Sequence, residues 1–290
     1  MLSSFAKINL TLDVGALRPD GYHEINSVMQ TVSLADTLCF TKLAEGISVS
    51  CSTPGVPDGR DNLAYRALSV ISDRLLAGIC TNIEKRIPHA AGLGGGSSNA
   101  AAALKGADTL YRIGLHEDEM LAAAAEVGSD VPFFILGGTA LAAGRGERVS
   151  SLPPMPVFWV VLVKPAYEVS TAKIYSLYKE KDVELHTPRF VQALQQGDRE
   201  GMIKAMGNDL EEFTIGLYPE IASIKQQFLR LGAARAMMAG SGPTVFGLFE
   251  SKEKALEAAG NMQGGDIYVC RTVPAKDIGQ EVISKRGWVK

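Results

Sequence analysis

The sequence predicts an α+β protein of two domains, and three observations support this class. Its 290 residues suffice for about two domains of roughly 150 residues each, and 46% hydrophobic with 21% charged residues is a globular composition. Strand-like and helix-like patterns of apolar residues occur in both halves of the chain. A proline-rich stretch at residues 152–156 cannot continue a helix or a central strand, so we predict domains at 1–153 and 154–290.

In the first half, apolar residues that alternate with polar ones predict strands. The first strand has one apolar and one polar face, and the polar face carries Lys7 and Asn9. A polar face on a strand often meets solvent, so a solvated Lys7 is the alternative to a functional one. The strands are predicted over residues 6–14, 27–34 and 79–87.

Apolar residues at helical spacing and an alanine-rich run predict three helices in the same half. Asp61 or Asn62 is a candidate N-cap of the first helix, and Gly128 could end the third. Asp130 would then be an N-cap for the short apolar segment that follows. The helices are predicted over residues 61–76, 99–111 and 117–127.

The second half predicts the same mixture of elements. A fully apolar run at its start is typical of a buried strand. Strands are predicted over residues 157–163, 244–249 and 267–272. Helices are predicted over residues 188–194, 202–210 and 218–231.

Glycines are enriched and clustered. They number 30, about a tenth of the chain, where roughly 7% is usual, and four of them lie within positions 92–96 between a predicted strand and a predicted helix. Without a Cβ, successive N–H groups can converge on an anion at a helix N-terminus, which predicts phosphate binding. The loop has neither the lysine of a Walker A loop nor the third glycine of the dinucleotide fingerprint. A tight turn with Ser97 as N-cap is the alternative, but it would need fewer glycines.

Charge and hydropathy exclude other classes of partner. Lys and Arg number 29 against 32 for Asp and Glu, so the net charge of -3 gives no general attraction to nucleic acid or to anionic membranes. The apolar runs are shorter than the roughly 20 residues that span a bilayer, and the N-terminus lacks the pattern of a signal peptide. Four cysteines without CxxC spacing predict buried free thiols, and no histidine lies at metal-ligand spacing. We therefore expect a cytoplasmic protein, either a monomer or a homodimer.

Several motifs resemble those of one kinase superfamily. Residues 88–100, Pro-x-x-x-Gly-Leu-Gly-Gly-Gly-Ser-Ser-x-Ala, resemble the ATP loop of the GHMP kinases, which are named for galactokinase, homoserine kinase, mevalonate kinase and phosphomevalonate kinase. Residues 6–10 and 239–244 resemble two further motifs of these kinases and follow the same order. Residues 18–23, Arg-Pro-Asp-Gly-Tyr-His, are similar to a motif of the 4-diphosphocytidyl-2-C-methyl-D-erythritol kinases of isoprenoid biosynthesis, and residues 128–134 fit that group as well.

This resemblance implies a two-domain fold with the active site in the cleft between the domains. It implies ATP-dependent phosphorylation of the 2-hydroxyl of a small molecule that carries a cytidine diphosphate group. Asp130 would be the general base and Lys7 its electrostatic partner. Mg²⁺ would arrive with ATP and meet Ser97 or Ser98. The implied ATP-binding residues are Pro88, His89, Ala90, Ala91, Gly92, Leu93, Gly94, Gly95, Gly96, Ser97, Ser98, Asn62 and Leu63. The implied substrate-binding residues are Asn9, Tyr22, His23, Gly240 and Ser241. Ser170, Thr171 and Tyr175 are further candidates beside the cytosine.

Alternatives remain open at this point. A homoserine or mevalonate kinase would share the loop, but neither substrate offers a base for Tyr22 and His23 to hold. A catalytically silent relative that binds nucleotide or sugar would need the loop without both Lys7 and Asp130. The aromatic pair could instead cover core, and Tyr167 is a second candidate wall for the base. His89 departs from the small or apolar residue expected in its position.

Overall fold

Two β-sheets, of eight and four strands, organise the part of the chain that the computed structural model describes, which is residues 1–51, 53–179 and 185–278. The larger sheet contains β1 (Leu2–Asn9), β2 (Thr11–Leu17), β3 (His23–Leu43), β4 (Ile47–Cys51), β5 (Gly78–Glu84), β6 (Thr139–Gly144), β7 (Arg148–Ser151) and β9 (Gly207–Asn208). The smaller sheet contains β8 (Trp159–Lys164), β10 (Arg235–Met238), β11 (Val245–Phe249) and β12 (Asp266–Arg271).

Helices accompany the strands in both halves, as the α+β class requires. The first half contributes α1 (Leu63–Val70), α2 (Gly95–Tyr111), α3 (Glu117–Val127) and α4 (Val131–Leu136). The second half contributes α5 (Thr171–Leu177), α6 (His186–Gln196), α7 (Arg199–Ala205), α8 (Glu211–Leu217), α9 (Glu220–Arg230) and α10 (Lys252–Asn261).

The long strand β3 is the centre of the larger sheet. Its 21 residues pair antiparallel with β1, β2, β5 and β6, so the strand predicted over 27–34 is only its middle part. The strand predicted over 6–14 is divided into β1 and β2 at Leu10, whose N–H still donates to the carbonyl of Val28 at 2.8 Å. Both β1 and β2 therefore pair with β3.

The polar face of β1 and β2 is buried, contrary to the solvent-facing alternative. Lys7 and Asn9 are 4% and 2% exposed, and Asp13 is 3% exposed. Asn9 donates to Ser27 Oγ at 2.8 Å, and Asp13 accepts two backbone N–H groups at the start of α6, at 2.7 and 2.8 Å. Because buried polar groups require partners, this face is an internal polar layer.

Helix boundaries show where local patterns were sufficient. The helix α3 has the predicted bounds. The helix α2 begins four residues before its predicted start, because Gly95 and Gly96 are already helical although glycine is a poor helix former. The helix predicted over 61–76 stops at Val70 and gives way to a short 3₁₀ turn. The helix predicted over 202–210 is wrong after Ala205, where the chain pairs with β2 as β9. The elements with no prediction are β4, β6, β7, β10, α4, α5, α8 and α10.

A buried apolar cluster joins the two halves of the chain. It combines Ile8 and Val28 from the larger sheet with Leu162 and Phe246 from the smaller sheet. Leu93, inside the glycine loop, belongs to the same cluster. The loop is therefore anchored where the halves meet, while the exact boundary between the domains stays a prediction.

Two further predictions can be compared with the structure. No helix in the described ranges is long and apolar enough to cross a bilayer. All four cysteines are free thiols, as predicted, but only Cys270 is buried. The prediction of burial is wrong for Cys39, Cys51 and Cys80, which lie at half-buried strand positions.

Candidate active site

The glycine loop connects β5 to the N-terminus of α2, a helix of 17 residues. Gly92 and Gly94 adopt left-handed φ values of 75° and 70°, which glycine reaches without strain. Gly94 is the N-cap, so the alternative in which Ser97 caps the helix is wrong. The N–H groups of the first helical turn have no carbonyl partner within the helix, and the helix dipole adds positive charge there. This end of α2 can bind phosphate groups.

Close packing around the loop depends on glycine. A Cβ built on Gly94 would lie 2.7 Å from Cζ of Phe134 in α4 and 3.1 Å from Cγ of Lys7 in β1. A Cβ on Gly92 would lie 2.4 Å from the carbonyl oxygen of Ala239. Side chains at these positions would push apart three segments that meet at the loop: β1, α4 and the turn after Ala239.

Lys7 and Asp130 form the charged centre of the site. Lys7 Nζ lies 3.5 Å from Asp130 Oδ2, and the two side chains are 5% and 35% exposed. Lys7 Nζ also donates to Asn9 Oδ1 at 2.7 Å, which fixes the ammonium group on the polar face of β1. Asp130 occupies the N-cap position of α4, as the alternative interpretation predicted, but its side chain makes no capping hydrogen bond with the helix. Its carboxylate is thus half-buried beside a fixed cation and still reaches solvent.

A second glycine-containing turn, at residues 239–244, lies over Lys7 and Asn9. A Cβ built on Gly240 would lie 3.7 Å from Lys7 Nζ and 3.5 Å from Asn9 Oδ1. The carbonyl of Gly240 accepts a hydrogen bond from Asn208 Nδ2 at 2.7 Å. The buried Ser241 is 2.8 Å from Thr171 at their hydroxyl oxygens. The sequence motif at 239–244 therefore faces the motif at 6–10.

An aromatic group surrounds His23. Its ring centroid is 5.8 Å from that of Tyr175 and 5.5 Å from that of Tyr178, the latter edge-on. His23 Nδ1 lies 2.9 Å from the carbonyl oxygen of Gly15, and because a carbonyl only accepts, this nitrogen carries the proton and Nε2 remains an acceptor in the neutral ring. Burial raises the pKa of Tyr175, and the negative charge of Asp130 adds to the rise. Tyr175 is thus electrostatically coupled to Asp130 and also packs against His23.

Tyr22, the other residue of the predicted pair, is 52% exposed. The Cζ atom of Arg145 lies 5.4 Å from the centroid of its ring. Its backbone N–H donates to Asp20 Oδ1 at 3.1 Å, which holds the turn before it. Tyr22 is therefore an accessible ring beside a cation.

The sequence and structure of the chain are similar to those of known kinases. The model of the GHMP kinases N terminal domain matches residues 62–138, and that of the GHMP kinases C terminal domain matches 190–264. A 4-diphosphocytidyl-2-C-methyl-D-erythritol (CDP-ME) kinase from Moorella thermoacetica is 45% identical over 268 residues, which cover 90% of this chain and 94% of that protein. The CDP-ME kinase of Bacillus subtilis is 43% identical over 274 residues, covering 92% and 95%.

The chain belongs to the CDP-ME kinase family.

Solved structures agree with this membership of the CDP-ME kinase family. A crystal structure of a 4-(cytidine 5'-diphospho)-2C-methyl-D-erythritol kinase matches with a TM-score of 0.80 and 34% identity, over 93% of this chain and 98% of that one. A homoserine kinase from Cytophaga hutchinsonii matches with a TM-score of 0.73 but only 19% identity, over 93% and 95%, and so supports the fold alone. The two-domain GHMP kinase fold predicted from the sequence is confirmed.

Some residues implied by the family resemblance have structural duties. Asn62 is the N-cap of α1, where its Oδ1 accepts from the N–H of Ala64 at 2.9 Å, and its amide also donates to a carbonyl. Ser170 caps α5. Tyr167 stacks on Tyr218 with centroids 4.8 Å apart, so Tyr175 and not Tyr167 lies beside His23.

Other residues that the GHMP kinase resemblance implies for ATP binding lie along the loop. Leu63 Cδ1 would be 3.4 Å from a Cβ on Gly96, which places this side chain against the first turn of α2. Pro88, Ala90 and the exposed His89 lead into the loop. The exposure of His89 explains why this position tolerates a large polar side chain.

The two candidate magnesium ligands differ. Ser98 is buried, donates to the carbonyl of Phe5 and accepts from Ser4, both at 2.6 Å. Ser97 is half-buried, and its hydroxyl makes no hydrogen bond to any residue that the structure describes. A hydroxyl at the first turn of α2 suits Mg²⁺, which prefers oxygen ligands, so Ser97 fits the ion better than Ser98 does.

One group of three metal-ligand side chains does come together in the described ranges, although sequence spacing gave no sign of it. It consists of Asp13, His186 and Asp209. The oxygens of Asp13 bind backbone N–H groups of α6, and Asp209 Oδ2 accepts from the N–H of Val14 at 2.9 Å. These bonds tie β2 to segments of the second half.

Sequence reasoning missed a buried ion pair beneath the glycine loop. Lys85 Nζ lies 2.5 Å from Asp36 Oδ2, with side chains 6% and 0% exposed, and 2.9 Å from a Cβ built on Gly95. Asp36 also accepts from the N–H of Ile87 and the amide of Asn99, both at 2.8 Å. A signal was present in the sequence, because Lys85 directly follows β5 and continues the alternation of its buried isoleucines, Ile79 and Ile83. The pair supports the start of α2 from below.

Proposed function

We propose that this chain transfers the γ-phosphate of ATP to the 2-hydroxyl of CDP-ME, a step of isoprenoid precursor synthesis by the non-mevalonate route. The observation that carries the proposal is the Lys7–Asp130 pair, 3.5 Å apart, between the phosphate-binding end of α2 and the aromatic group around His23. Membership of the CDP-ME kinase family supports it. Catalysis would occur in the cleft between the halves.

The nucleotide would lie along residues 88–98. The N–H groups in the first turn of α2 would bind its phosphates, which lets a chain with a net charge of -3 hold an anion. Leu63 would border the nucleotide beside Gly96. Mg²⁺, bound mainly by phosphate oxygens, would neutralise phosphate charge, and Ser97 is the residue we assign to it.

Asp130 would accept the proton of the acceptor hydroxyl as its oxygen attacks the γ-phosphorus. General base catalysis contributes about 10²- to 10⁴-fold, and much of the remaining rate comes from positioning and charge stabilisation. Lys7 would stabilise charge that develops during transfer, since its ammonium group is already fixed by Asn9 and needs little reorganisation. Asn9 and the turn at Gly240 and Ser241 would position the acceptor end of the substrate, with Thr171 holding Ser241.

The cytosine would bind at Tyr22, His23 and Tyr175. Aromatic faces stack on a pyrimidine, and Nε2 of His23 would accept from the exocyclic amino group of the base. This aromatic group favours CDP-ME over homoserine and mevalonate, because neither of those molecules has a ring to stack. A silent binding protein would have no need for a paired Lys7 and Asp130. We further propose a cytoplasmic location, since the four cysteines are free thiols.

The test is ADP release by the purified protein with Mg-ATP and one acceptor at a time: CDP-ME, homoserine or mevalonate. We expect turnover with CDP-ME alone, and thermal stabilisation by CDP alone among CDP, homoserine and mevalonate. Turnover of homoserine or mevalonate would assign the chain to another kinase reaction. Stabilisation by CDP without ADP release from any acceptor would support the silent relative.

A further inference from the structure

Arg145 lies in the turn between β6 and β7, next to the corner that carries Asp130. In this turn, a Cβ built on Gly146 would lie 3.6 Å from Cβ of Ser129, the residue before Asp130. The N–H of Gly146 donates to the carbonyl oxygen of Ala143 at 3.1 Å, and the N–H of Arg145 donates to Glu147 Oε2 at 2.8 Å. The turn is therefore fixed against the candidate catalytic segment.

The side chain of Arg145 reaches from this turn to Tyr22. Its Cζ atom is 5.4 Å from the centroid of the Tyr22 ring, within the range of a cation–π contact. Arg145 thus connects two places that the proposed function assigns to opposite ends of the substrate: the base Asp130 and the ring that stacks on cytosine.

Among the described residues, Arg145 forms no ion pair, unlike its neighbours Arg18 and Arg148. Arg18 and Arg148 lie 2.7 and 2.9 Å from the carboxylate oxygens of Glu24. Within the described part of the chain, no carboxylate lies within 4.0 Å of the Arg145 guanidinium. The positive charge of Arg145 also acts on Asp20. The pKa of the Asp20 carboxyl is held below its ordinary value first by the hydrogen bond from the N–H of Tyr22, and then by Arg18 and Arg145.

We propose that Arg145 binds the diphosphate of the substrate, an assignment that rests on the proposed function. CDP-ME carries its diphosphate between cytidine and the methylerythritol chain whose hydroxyl reacts. When cytosine lies at Tyr22 and the hydroxyl at Asp130, the diphosphate must lie between them, where Arg145 is. A guanidinium group binds phosphate oxygens in a bidentate manner, and no carboxylate of the described residues pairs with this one.

The test compares Arg145→Gln and Arg145→Lys with Arg148→Gln, a control in which the lost guanidinium is exposed and paired with Glu24. The affinities of CDP and of cytidine are measured by calorimetry, and KM is measured for CDP-ME and for ATP. For Arg145→Gln we expect the Kd of CDP and the KM of CDP-ME to rise about 10- to 100-fold, as for a lost charge-assisted hydrogen bond. The Kd of cytidine and the KM of ATP should stay within about threefold. Arg145→Lys should recover part of the loss, and Arg148→Gln should resemble the wild type.

Several outcomes would overturn the assignment. Equal losses of CDP and cytidine affinity would mean that Arg145 acts on the base or on Tyr22. A rise in the KM of ATP alone would place Arg145 at the nucleotide. Wild-type affinity of Arg145→Gln for CDP would overturn this role alone, whereas a wild-type protein that binds no CDP would overturn the proposed function and this role together.

Discussion

Replacing Gly92 with alanine should impair catalysis far more than stability, because of where its Cβ would lie. The new atom would be 2.4 Å from the carbonyl oxygen of Ala239 and 3.0 Å from that of Gly242. Both are backbone atoms and cannot rotate away, so the turn after Ala239 must retreat by about 1 Å to reach ordinary contact. Because that turn lies over Lys7 and Asn9, we expect the acceptor end of the site to open.

The magnitude has two parts that a control can separate. Gly92 has a φ of 75°, and a non-glycine residue in this region costs about 1–2 kcal/mol. Gly114 has a φ of 76° with no atom within 4 Å of its Cβ position, so Gly114→Ala has the same backbone strain without the clash. A misplacement of about 1 Å can lower a rate about 10²-fold.

The assay is kcat for ADP release with CDP-ME, together with the free energy of unfolding in urea. Gly114→Ala should lose about 1–2 kcal/mol of stability and keep the wild-type kcat. Gly92→Ala should lose at least as much stability and about 10²-fold in kcat. A kcat of Gly92→Ala within about threefold of that of Gly114→Ala would refute the argument that catalysis requires close contact between the glycine loop and the turn at residues 239–244.

Three further predictions concern charged groups. Asp130→Asn should lower kcat about 10²- to 10⁴-fold while the Kd of ATP, measured by calorimetry, changes little; an equal loss of ATP affinity would count against the role of a base. Burial lowers the pKa of Lys105 to about 8. The free-energy penalty for burying the charged ammonium group is therefore fully present below pH 8, and it is relieved as the pH rises toward the unfolded pKa of 10.5. In urea titrations between pH 8 and 10, the wild type should gain about 2 kcal/mol in unfolding free energy relative to Lys105→Met, and parallel pH profiles would contradict this. Asp36→Ala should cost about 3–5 kcal/mol in the same assay, because Lys85 is left buried without its carboxylate; a loss below about 1 kcal/mol would show that the pair does not support the loop.

Local sequence patterns predicted the parts of the site that depend on near neighbours. The glycines at 92–96, the N-cap at Asn62 and the helix at 117–127 were found because a turn, a cap or a helix is determined within a few residues. The start of α2 was predicted too late, since glycine is a poor helix former and hides helical structure in this loop.

Contacts between distant segments could not be predicted in this way. His23 meets Tyr175 and Tyr178 only because the end of α5 and the residue that follows it lie beside the start of β3, and no spacing connects residues some 150 positions apart. Asp36 and Lys85 are brought together by the pairing of β3 with β5. The burial of Lys7 likewise depends on elements that cover the polar face of β1.

The most direct test of the account is a single-turnover reaction of the wild type and of Asp130→Asn with Mg-ATP and CDP-ME, with the product identified by ³¹P NMR and mass spectrometry. The account predicts that the wild type converts CDP-ME to its 2-phosphate with one ADP per product, and that Asp130→Asn binds both substrates but forms product at least about 10²-fold more slowly. A phosphate at another hydroxyl, no product from the wild type, or a wild-type rate for Asp130→Asn would contradict it.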